Sequence, residues 1–370
     1  MTATTIAPGA LRLDRAKPFD AKAQRLVCMG RTSHSADAAS FLFRAEGGGF
    51  FAYEPGQFVT LELPLAGGPV HRTYTLSSTP SRPFAVEVTV KAQGASQASR
   101  WMIEHLRPGM ALKALAPAGR FTLSAADPAA RGYLFVSAGS GATPMMSMLR
   151  WLADCAPEAD AVYLHVARRP EDILFHHELE LIDAGMPNLR LGFLVSRGTG
   201  PKGGGRRGWA GPVGRLDAAR LSLLAPDLDG RDVFCCGPEG FMDSVRALLE
   251  ARGFPMARYH QESFGATGAG EPAPVAATPA QAAPAGAPIR FTLSDREARA
   301  APGQTVLQAA RGAGVRIPAA CESGLCGTCK VMAAGPVEMS HNGGILDEEI
   351  EEGYILACCS RPTGEISVDA

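Results

Sequence analysis

Apolar and polar positions alternate through the first third of the chain. In "FVTLELPL" (58–65), "HRTYTLSS" (71–78) and "FAVEVTVKA" (84–92), apolar, β-branched or aromatic residues recur with a period near two, as on strands with one buried face. Within that region only "SRWMIEHL" (99–106) has helical spacing. Residues 22–128 are therefore expected to form an antiparallel β-barrel, after a leader at 1–21. Over 129–265 the pattern changes. The apolar runs "GYLFVSAG", "AVYLHVA", "LRLGFLVS" and "DVFCCG" alternate with "TPMMSMLRWLADC", "HHELELIDAG" and "EGFMDSVRALLEARG", whose apolar residues follow a helical period. Strand–helix alternation predicts an α/β unit with a parallel sheet covered by helices. Residues 266–288, "ATGAGEPAPVAATPAQAAPAGAP", have almost nothing to bury and read as a semi-extended linker, with a reach of roughly 70 Å at about 3.1 Å per residue. A third unit, 289–370, opens with the strand-like "IRFTLSD". The chain is thus expected to be multidomain.

Composition narrows the function classes. A length of 370 residues with 46% hydrophobic content suits two or three packed domains, and a net charge of −1 gives no electrostatic case for nucleic acid. The charge is divided unevenly: residues 288–370 carry seven Lys/Arg and eleven Asp/Glu, net −4, which leaves +3 on the rest. The start lacks the apolar core of a secretory signal, and no run approaches eighteen apolar residues. A cytoplasmic protein without a membrane span is expected. In such a chain nine cysteines read as metal ligands or redox centres rather than as a disulfide framework.

The cysteines cluster tellingly. "CESGLCGTC" places Cys321, Cys326 and Cys329 as C-x4-C-x2-C, and a doublet follows at Cys358 and Cys359. This is the ligand spacing of a plant-type [2Fe–2S] cluster, with small residues at 323, 324, 327 and 328 that let backbone N–H groups approach the sulfurs. A structural zinc site is the alternative, although zinc usually pairs two C-x2-C units and only one is present. The segment with its partner "LDEEIEEGYILAC" resembles the plant-type ferredoxin family, which implies an α+β β-grasp fold. Of the doublet, the flanking motif points to Cys358 as fourth ligand, whereas loop length alone points to Cys359. If the segment is a strand, alternation turns Cys359 away into the packing. The acidic run at 347–352 fits a helix N-terminus or a docking face for a basic partner.

Two further motifs lie upstream. "HRTYTLSS" supplies Arg72, Tyr74, Thr75 and Ser77, with an arginine able to clamp a phosphate and a tyrosine able to lie on a flat ring. It resembles the R-x-Y-[ST] motif of the ferredoxin–NADP reductase family. That resemblance implies FAD, with Arg72 on its diphosphate, Tyr74 on the isoalloxazine and Thr75 near N5. Val90 would line the flavin, and Ser99 would cap the following helix beside the pyrophosphate. The family's usual Gly-Gly there is replaced by Ala95-Ser96-Gln97-Ala98-Ser99. The turn Gly139-Ser140-Gly141-Ala142-Thr143-Pro144, at a strand–helix junction, resembles the same family's nucleotide motif. "FCCGPEGFM" resembles its CGP motif, which implies Cys236, Gly237 and Pro238 near the nicotinamide and Cys235 in the core. Glu262 and Phe264 of "YHQESFG" are expected to reach the flavin edge. Thr75, Cys236 and Glu262 are thus the expected catalytic set.

Nucleotide preference rests on the ribose 2′ position. Arg168, Arg169, Ser196, Arg197, Arg206 and Arg207 suit a 2′-phosphate and NADPH, whereas the most similar reductases, those with a C-terminal ferredoxin serving oxygenases, mostly use NADH, which is the expectation adopted. A flavin between a two-electron donor and a one-electron cluster is what an electron splitter requires. The whole resembles reductase components of Rieske-type oxygenases, in particular those of quaternary-amine demethylases such as glycine betaine monooxygenase. The partner is then a terminal oxygenase component. The alternatives are the reductase of a hybrid-cluster protein or of another oxygenase, and, from another class, a cysteine-based redox or metal-binding regulator.

Overall fold

The structure, a computed structural model, describes residues 17–92, 96–197, 209–264, 286–319, 322, 324, 326–341, 344–345 and 347–370. Among the described residues three larger sheets follow one another along the chain, with a two-stranded sheet beside the last. The first holds β1 (Leu26–Ser35), β2 (Ala38–Ala45), β3 (Phe58–Leu65), β4 (Gly68–Thr75), β5 (Val86–Lys91) and, after helix α1 (Gln97–His105), β6 (Ala111–Ala114). Its order is β4-β3-β6-β1-β2-β5, with antiparallel neighbours throughout. Just past the end of β4, Leu76 forms an isolated antiparallel bridge with Val88. Alternation does its expected work: Phe41, Phe43, Leu61, Leu63, Val86, Val88 and Val90 fill one apolar core with Met102 and Ile103 of α1.

The second sheet is parallel, in the order β11-β10-β7-β8-β9. Its elements are β7 (Gly132–Ala138), α2 (Ala142–Cys155), β8 (Ala161–Ala167), α3 (His176–Gly185), β9 (Leu189–Val195), α4 (Ala218–Leu224), β10 (Arg231–Cys236), α5 (Glu239–Ala251) and β11 (Tyr259–Glu262). Both faces are covered, so β10 reads as an unbroken buried run. Phe135, Tyr163, Phe234 and Cys236 face α2 and α3, whereas Leu134, Val136, Leu164 and Cys235 face α4 and α5. The fully buried Arg231, at the start of β10, is neutralised by Asp160 and Asp227 at 2.8 and 2.6 Å.

The third region comprises β12 (Ala287–Phe291), β13 (Arg296–Ala300), α6 (Val306–Gly312), β14 (Lys330–Ala334), β15 (Val337–Met339), α7 (Asp347–Glu351), β16 (Tyr354–Leu356), β17 (Ser360–Pro362) and β18 (Ile366–Val368). The mixed sheet runs β13-β12-β18-β14-β16, and β15 pairs with β17. Helix α6 starts at a reciprocal cap between Thr305 and Gln308. β12 takes in Ala287 and Pro288, which composition assigned to the linker. The rest of that linker up to residue 285, and the leader up to residue 16, lie outside the described residues. No helix among the described residues is long and apolar enough to cross a membrane.

Candidate functional site

Strand β4 carries the first set. Arg72 pairs with Leu61, Tyr74 with Val59 and Thr75 with Phe58, so Arg72 and Tyr74 share a face and Thr75 lies on the other. Two polar atoms here are buried without a hydrogen-bond partner: the Tyr74 hydroxyl and Thr75 Oγ1. Burial pushes the Tyr74 phenol up to about 12. Orphaned buried polar groups cost free energy unless a ligand satisfies them, and a flavin edge with ring nitrogens and carbonyls would do so at Thr75. These residues therefore fit the group. The Arg72 guanidinium donates to the carbonyl of His71 at 2.8 Å.

Three expected flavin contacts look different in space. Val90 is wholly inside the apolar core, so its side chain belongs to the interior. Ser77 is also fully buried, with its Oγ 3.0 Å from Glu87 Oε1 and 2.9 Å from Thr89 Oγ1. Ser99 does not cap α1. The helix begins three residues earlier than a cap at Ser99 implies, and the cap is Ser96, whose Oγ accepts from the Ser99 N–H at 3.4 Å. The reason is geometric: a cap side chain reaches the amide three positions on, and Ser96 stands three before Ser99. Ala95 lies outside the described residues.

The second set gathers at the C-terminal ends of the parallel strands, the usual crevice of such sheets. Gly139 has φ +55°, and Thr143 Oγ1 donates to the Ser140 carbonyl at 2.9 Å, which closes the turn into α2 with Pro144 in its first turn. Gly141 is a glycine for another reason. A Cβ there would stand 2.1 Å from the carbonyl oxygen of Cys236. The two glycine-bearing turns thus touch backbone to backbone, and Cys236, Gly237 and Pro238 follow at the mouth. Across the sheet Cys236 is in register with Ser137 on one side and Glu262 on the other. Glu262 is buried, with Oε2 unpartnered, and burial pushes its carboxyl up to about 8. Phe264, half-buried, packs on the same core. Burial drives the Cys236 thiol well up, which keeps it protonated. Arg197 lies exposed just past β9, its N–H bonded to the Arg168 carbonyl at 3.0 Å. Arg206 and Arg207 lie outside the described residues.

The third set surrounds the cysteine loop. Cys321 lies outside the described residues, and among those described no three His, Cys, Asp or Glu side chains are gathered as a metal site. The other sulfurs are drawn to one loop. The Gly324 N–H donates to Cys358 Sγ at 3.3 Å, and the Cys358 N–H to Cys329 Sγ at 3.4 Å. Cys326 Sγ lies 3.0 Å from Thr328 Oγ1. Gly324 and Gly327 both have φ +71°, a conformation that turns successive amides inward and costs least with glycine. Amides aimed at sulfur are what a negatively charged cluster needs, so this loop fits one.

The alternation expected at Cys359 does not occur, while the expected packing does: Cys359 is buried in the core of the last region. Residues 357–359 form a turn between β16 and β17, not a strand, so side chains do not alternate there. Cys359 Sγ faces the loop: a Cβ on Gly324 would come within 2.7 Å of it. It also donates weakly to the Leu356 carbonyl at 3.6 Å. Residues that the motifs did not flag are Ser147 and Arg150 of α2; as ordinary polar positions on an amphipathic helix they carry no sequence signal.

Residues 26–123 match the family described as an oxidoreductase FAD-binding domain, 135–247 an oxidoreductase NAD-binding domain, and 291–363 a 2Fe-2S iron-sulfur cluster binding domain. The chain is thus an oxidoreductase with FAD-, NAD- and cluster-binding parts in one polypeptide. It is 45% identical over 356 residues to the stachydrine N-demethylase reductase subunit of Rhizobium meliloti, covering 95% of this chain and 98% of the relative. It is 42% identical over 351 residues to the glycine betaine monooxygenase reductase subunit of Pseudomonas aeruginosa, covering 92% and 94%. Among solved structures, phthalate dioxygenase reductase aligns over 94% of this chain and 98% of its own, with TM-score 0.58 and 25% identity. The chain belongs to the ferredoxin–NADP reductase family, in the branch fused to a [2Fe–2S] ferredoxin domain and related to the glycine betaine and stachydrine reductase subunits.

Proposed function

We propose that this chain is the NAD(P)H-dependent reductase component of a Rieske-type monooxygenase system that demethylates a quaternary amine of the glycine betaine class. The observation that carries the reading is near full-length similarity to two reductase subunits of quaternary-amine systems, joined to a chain that presents all three redox stations. When bound, the flavin takes a hydride and hands on single electrons, one at a time, to the cluster.

The residues' parts follow from their positions. Arg72 would hold the diphosphate, Tyr74 the ring face, and the unpartnered Thr75 hydroxyl the reactive ring edge. Gly139, Gly141, Thr143 and Pro144 would bring the nucleotide diphosphate to the start of α2, and Cys236, Gly237 and Pro238 would border the nicotinamide. Glu262, protonated at neutral pH, can donate a hydrogen bond into the same mouth. Cys321, Cys326, Cys329 and Cys358 would hold the cluster. Arg197 would lie by the nucleotide ribose, with NADH as donor. We read the first sheet as a barrel over 22–128, the α/β unit as 129–265, and the last as a β-grasp domain over 289–370 tethered by the linker, in a cytoplasmic protein.

The test is reconstitution. Purified protein should be yellow-brown and bleach with NADH. Mixed with candidate Rieske oxygenases, it should support NADH-dependent demethylation of glycine betaine or stachydrine. Turnover with a hybrid-cluster protein instead would move the partner assignment, and a colourless, zinc-loaded protein would end the reading.

A further inference from the structure

Helix α2 joins the two halves of the proposed hydride site. Its N-terminus starts at the nucleotide turn, where Gly141 meets the Cys236 backbone. Its side chains at 147, 150 and 154 lie on one face, three and four residues apart, and all three grip the segment after the flavin strand. Ser147 Oγ donates to the Ser78 carbonyl at 2.6 Å and accepts from the Gly56 N–H at 3.2 Å. Arg150 donates to the Ser77 carbonyl at 2.7 Å and to Glu87 Oε1 at 2.8 Å. Asp154 accepts from Ser81 Oγ at 2.6 Å and from Arg82 Nη2 at 2.7 Å.

The inner two grips are buried and networked. Ser147 is fully buried and the Arg150 side chain is 12% exposed. Arg150 is also held by Glu178 of α3 through two bonds, at 2.7 and 2.8 Å. Beyond Glu87 the chain of bonds continues through Ser77, Thr89 and Ser40 to His34. This accounts for Ser77 being committed inside the protein. Arg82 by contrast is two-thirds exposed, so its pair with Asp154 is screened.

We propose that Ser147 and Arg150 are positioning residues for hydride transfer. They set the distance between the nucleotide turn at the head of α2 and the flavin strand that ends at Thr75. Ser147 is six residues from Gly141, about 9 Å along the helix. Ser77 and Ser78 follow Thr75 by two and three residues, about 7–10 Å of chain. A rigid connector this short transmits its own displacement almost whole to the reacting pair. The polar atoms of both side chains are engaged by protein partners: Gly56 and Ser78 for Ser147, and Ser77, Glu87 and Glu178 for Arg150. The donor loses a hydride, two electrons with one proton, and the flavin gains it, so nothing is required of Ser147 or Arg150 except geometry.

This inference rests on the reductase reading above, and its test separates the two. The full-length holoprotein is compared with Arg150→Met, Arg150→Lys and Ser147→Ala. Anaerobic rapid mixing with a series of NADH concentrations gives the limiting rate of flavin reduction and the apparent Kd. Reduced protein titrated with NAD+ gives the long-wavelength charge-transfer absorbance, which reports ring-to-ring stacking without turnover. We expect Arg150→Met to lower the limiting rate roughly tenfold or more, as a displacement near 1 Å does, with Kd changed less than about twofold, a weakened charge-transfer band and full flavin content. Arg150→Lys, which keeps the positive charge on a single donating nitrogen, should recover part of both signals, and Ser147→Ala should repeat the pattern by an independent contact. A limiting rate within about twofold of wild type, or an unchanged charge-transfer band, overturns the proposal. If Arg150→Met sheds its flavin, Ser147→Ala decides, and loss of flavin there too overturns positioning in favour of flavin retention. Wild-type protein that NADH and NADPH both fail to reduce would sink the reductase reading instead.

Discussion

The backbone N–H of Gly324 donates to the sulfur of Cys358 at 3.3 Å. The same glycine, at φ +71°, has no room for a side chain: a Cβ would stand 2.7 Å from Cys359 Sγ and 2.9 Å from His341 Cα. One residue therefore supplies an amide to one sulfur of the doublet and clears space for the other. Gly324→Ala should lose the cluster, because left-handed backbone and two close contacts oppose it together. Iron analysis and visible absorption should show flavin retained and iron absent; a full iron complement would contradict this account.

The doublet itself gives a second pair of outcomes. Cys358 accepts one amide bond and its own amide donates to Cys329 Sγ at 3.4 Å, so it is built into the ligand loop from both sides. Cys359 Sγ donates to the Leu356 carbonyl at 3.6 Å, adjoins Cys358, and is buried in the core of the last region. Cys358→Ser should lose the cluster and keep NADH-driven flavin reduction. Cys359→Ser should keep the iron, with a shifted electron paramagnetic resonance spectrum because the changed atom adjoins the ligand loop. Iron retained in Cys358→Ser and lost in Cys359→Ser would exchange the two roles.

Much of this was readable in the sequence, and the failures share a cause. Strands such as Phe58–Leu65 and Ala161–Ala167, and the helix His176–Gly185, match the expected segments, since strong periodicity survives tertiary context. The C-x4-C-x2-C loop and the glycine turns were legible because ligand spacing and close backbone approach leave a residue-type signature. The alternation expected at Cys359 and the cap expected at Ser99 fail because regular geometry does not carry across an element boundary, where one residue's difference changes every direction. Arg150 was invisible. Its partners, Glu87, Glu178 and the Ser77 carbonyl, lie 63, 28 and 73 residues away in sequence, and no local pattern encodes such a meeting.

Glu262 gives a pH dependence whose sign is fixed. Its carboxyl is raised by burial from 4.5 to about 8. Between those values the folded protein keeps the proton and the unfolded chain has released it, so stability falls as pH rises across the window and levels off above it. Glu262→Gln removes the titration. Chemical denaturation of both proteins between pH 5 and pH 8 should show the wild type losing more stability than the variant over that interval. Parallel curves would mean that the carboxylate finds a partner or water when ionised.

The helix cap distinguishes Ser96 from Ser99. Ser96 Oγ accepts the Ser99 amide, which frees that N–H from being an unsatisfied helix-end donor. Ser96→Ala should cost about 1 kcal/mol, whereas Ser99→Ala, inside the helix, should cost less because alanine is the better helix former. Urea midpoints measured on the two single variants decide the order. A larger loss for Ser99→Ala would restore it as the cap.

Gly141 makes the sharpest prediction about the nucleotide site. Its backbone is ordinary right-handed helix, φ −62° and ψ −7°, so conformation alone would admit alanine. What forbids it is the carbonyl oxygen of Cys236 at 2.1 Å from the missing Cβ, with the Cys236 carbonyl carbon at 2.4 Å and the Gly237 nitrogen at 2.7 Å. All three are backbone atoms at the end of a buried central strand and cannot swing aside as a side chain would. Gly141→Ala must therefore push α2 away from β10, carrying the nucleotide turn with it. The loss should fall on NADH: apparent Kd raised at least about tenfold, the cost of a misfit near 1.4 kcal/mol, with flavin and iron contents close to wild type. Gly240→Ala, in α5 with nothing within 4 Å of its missing Cβ, serves as the control and should leave NADH affinity unchanged. Equal effects from the two substitutions would show that the Gly141–Cys236 contact does not hold the nucleotide turn in place.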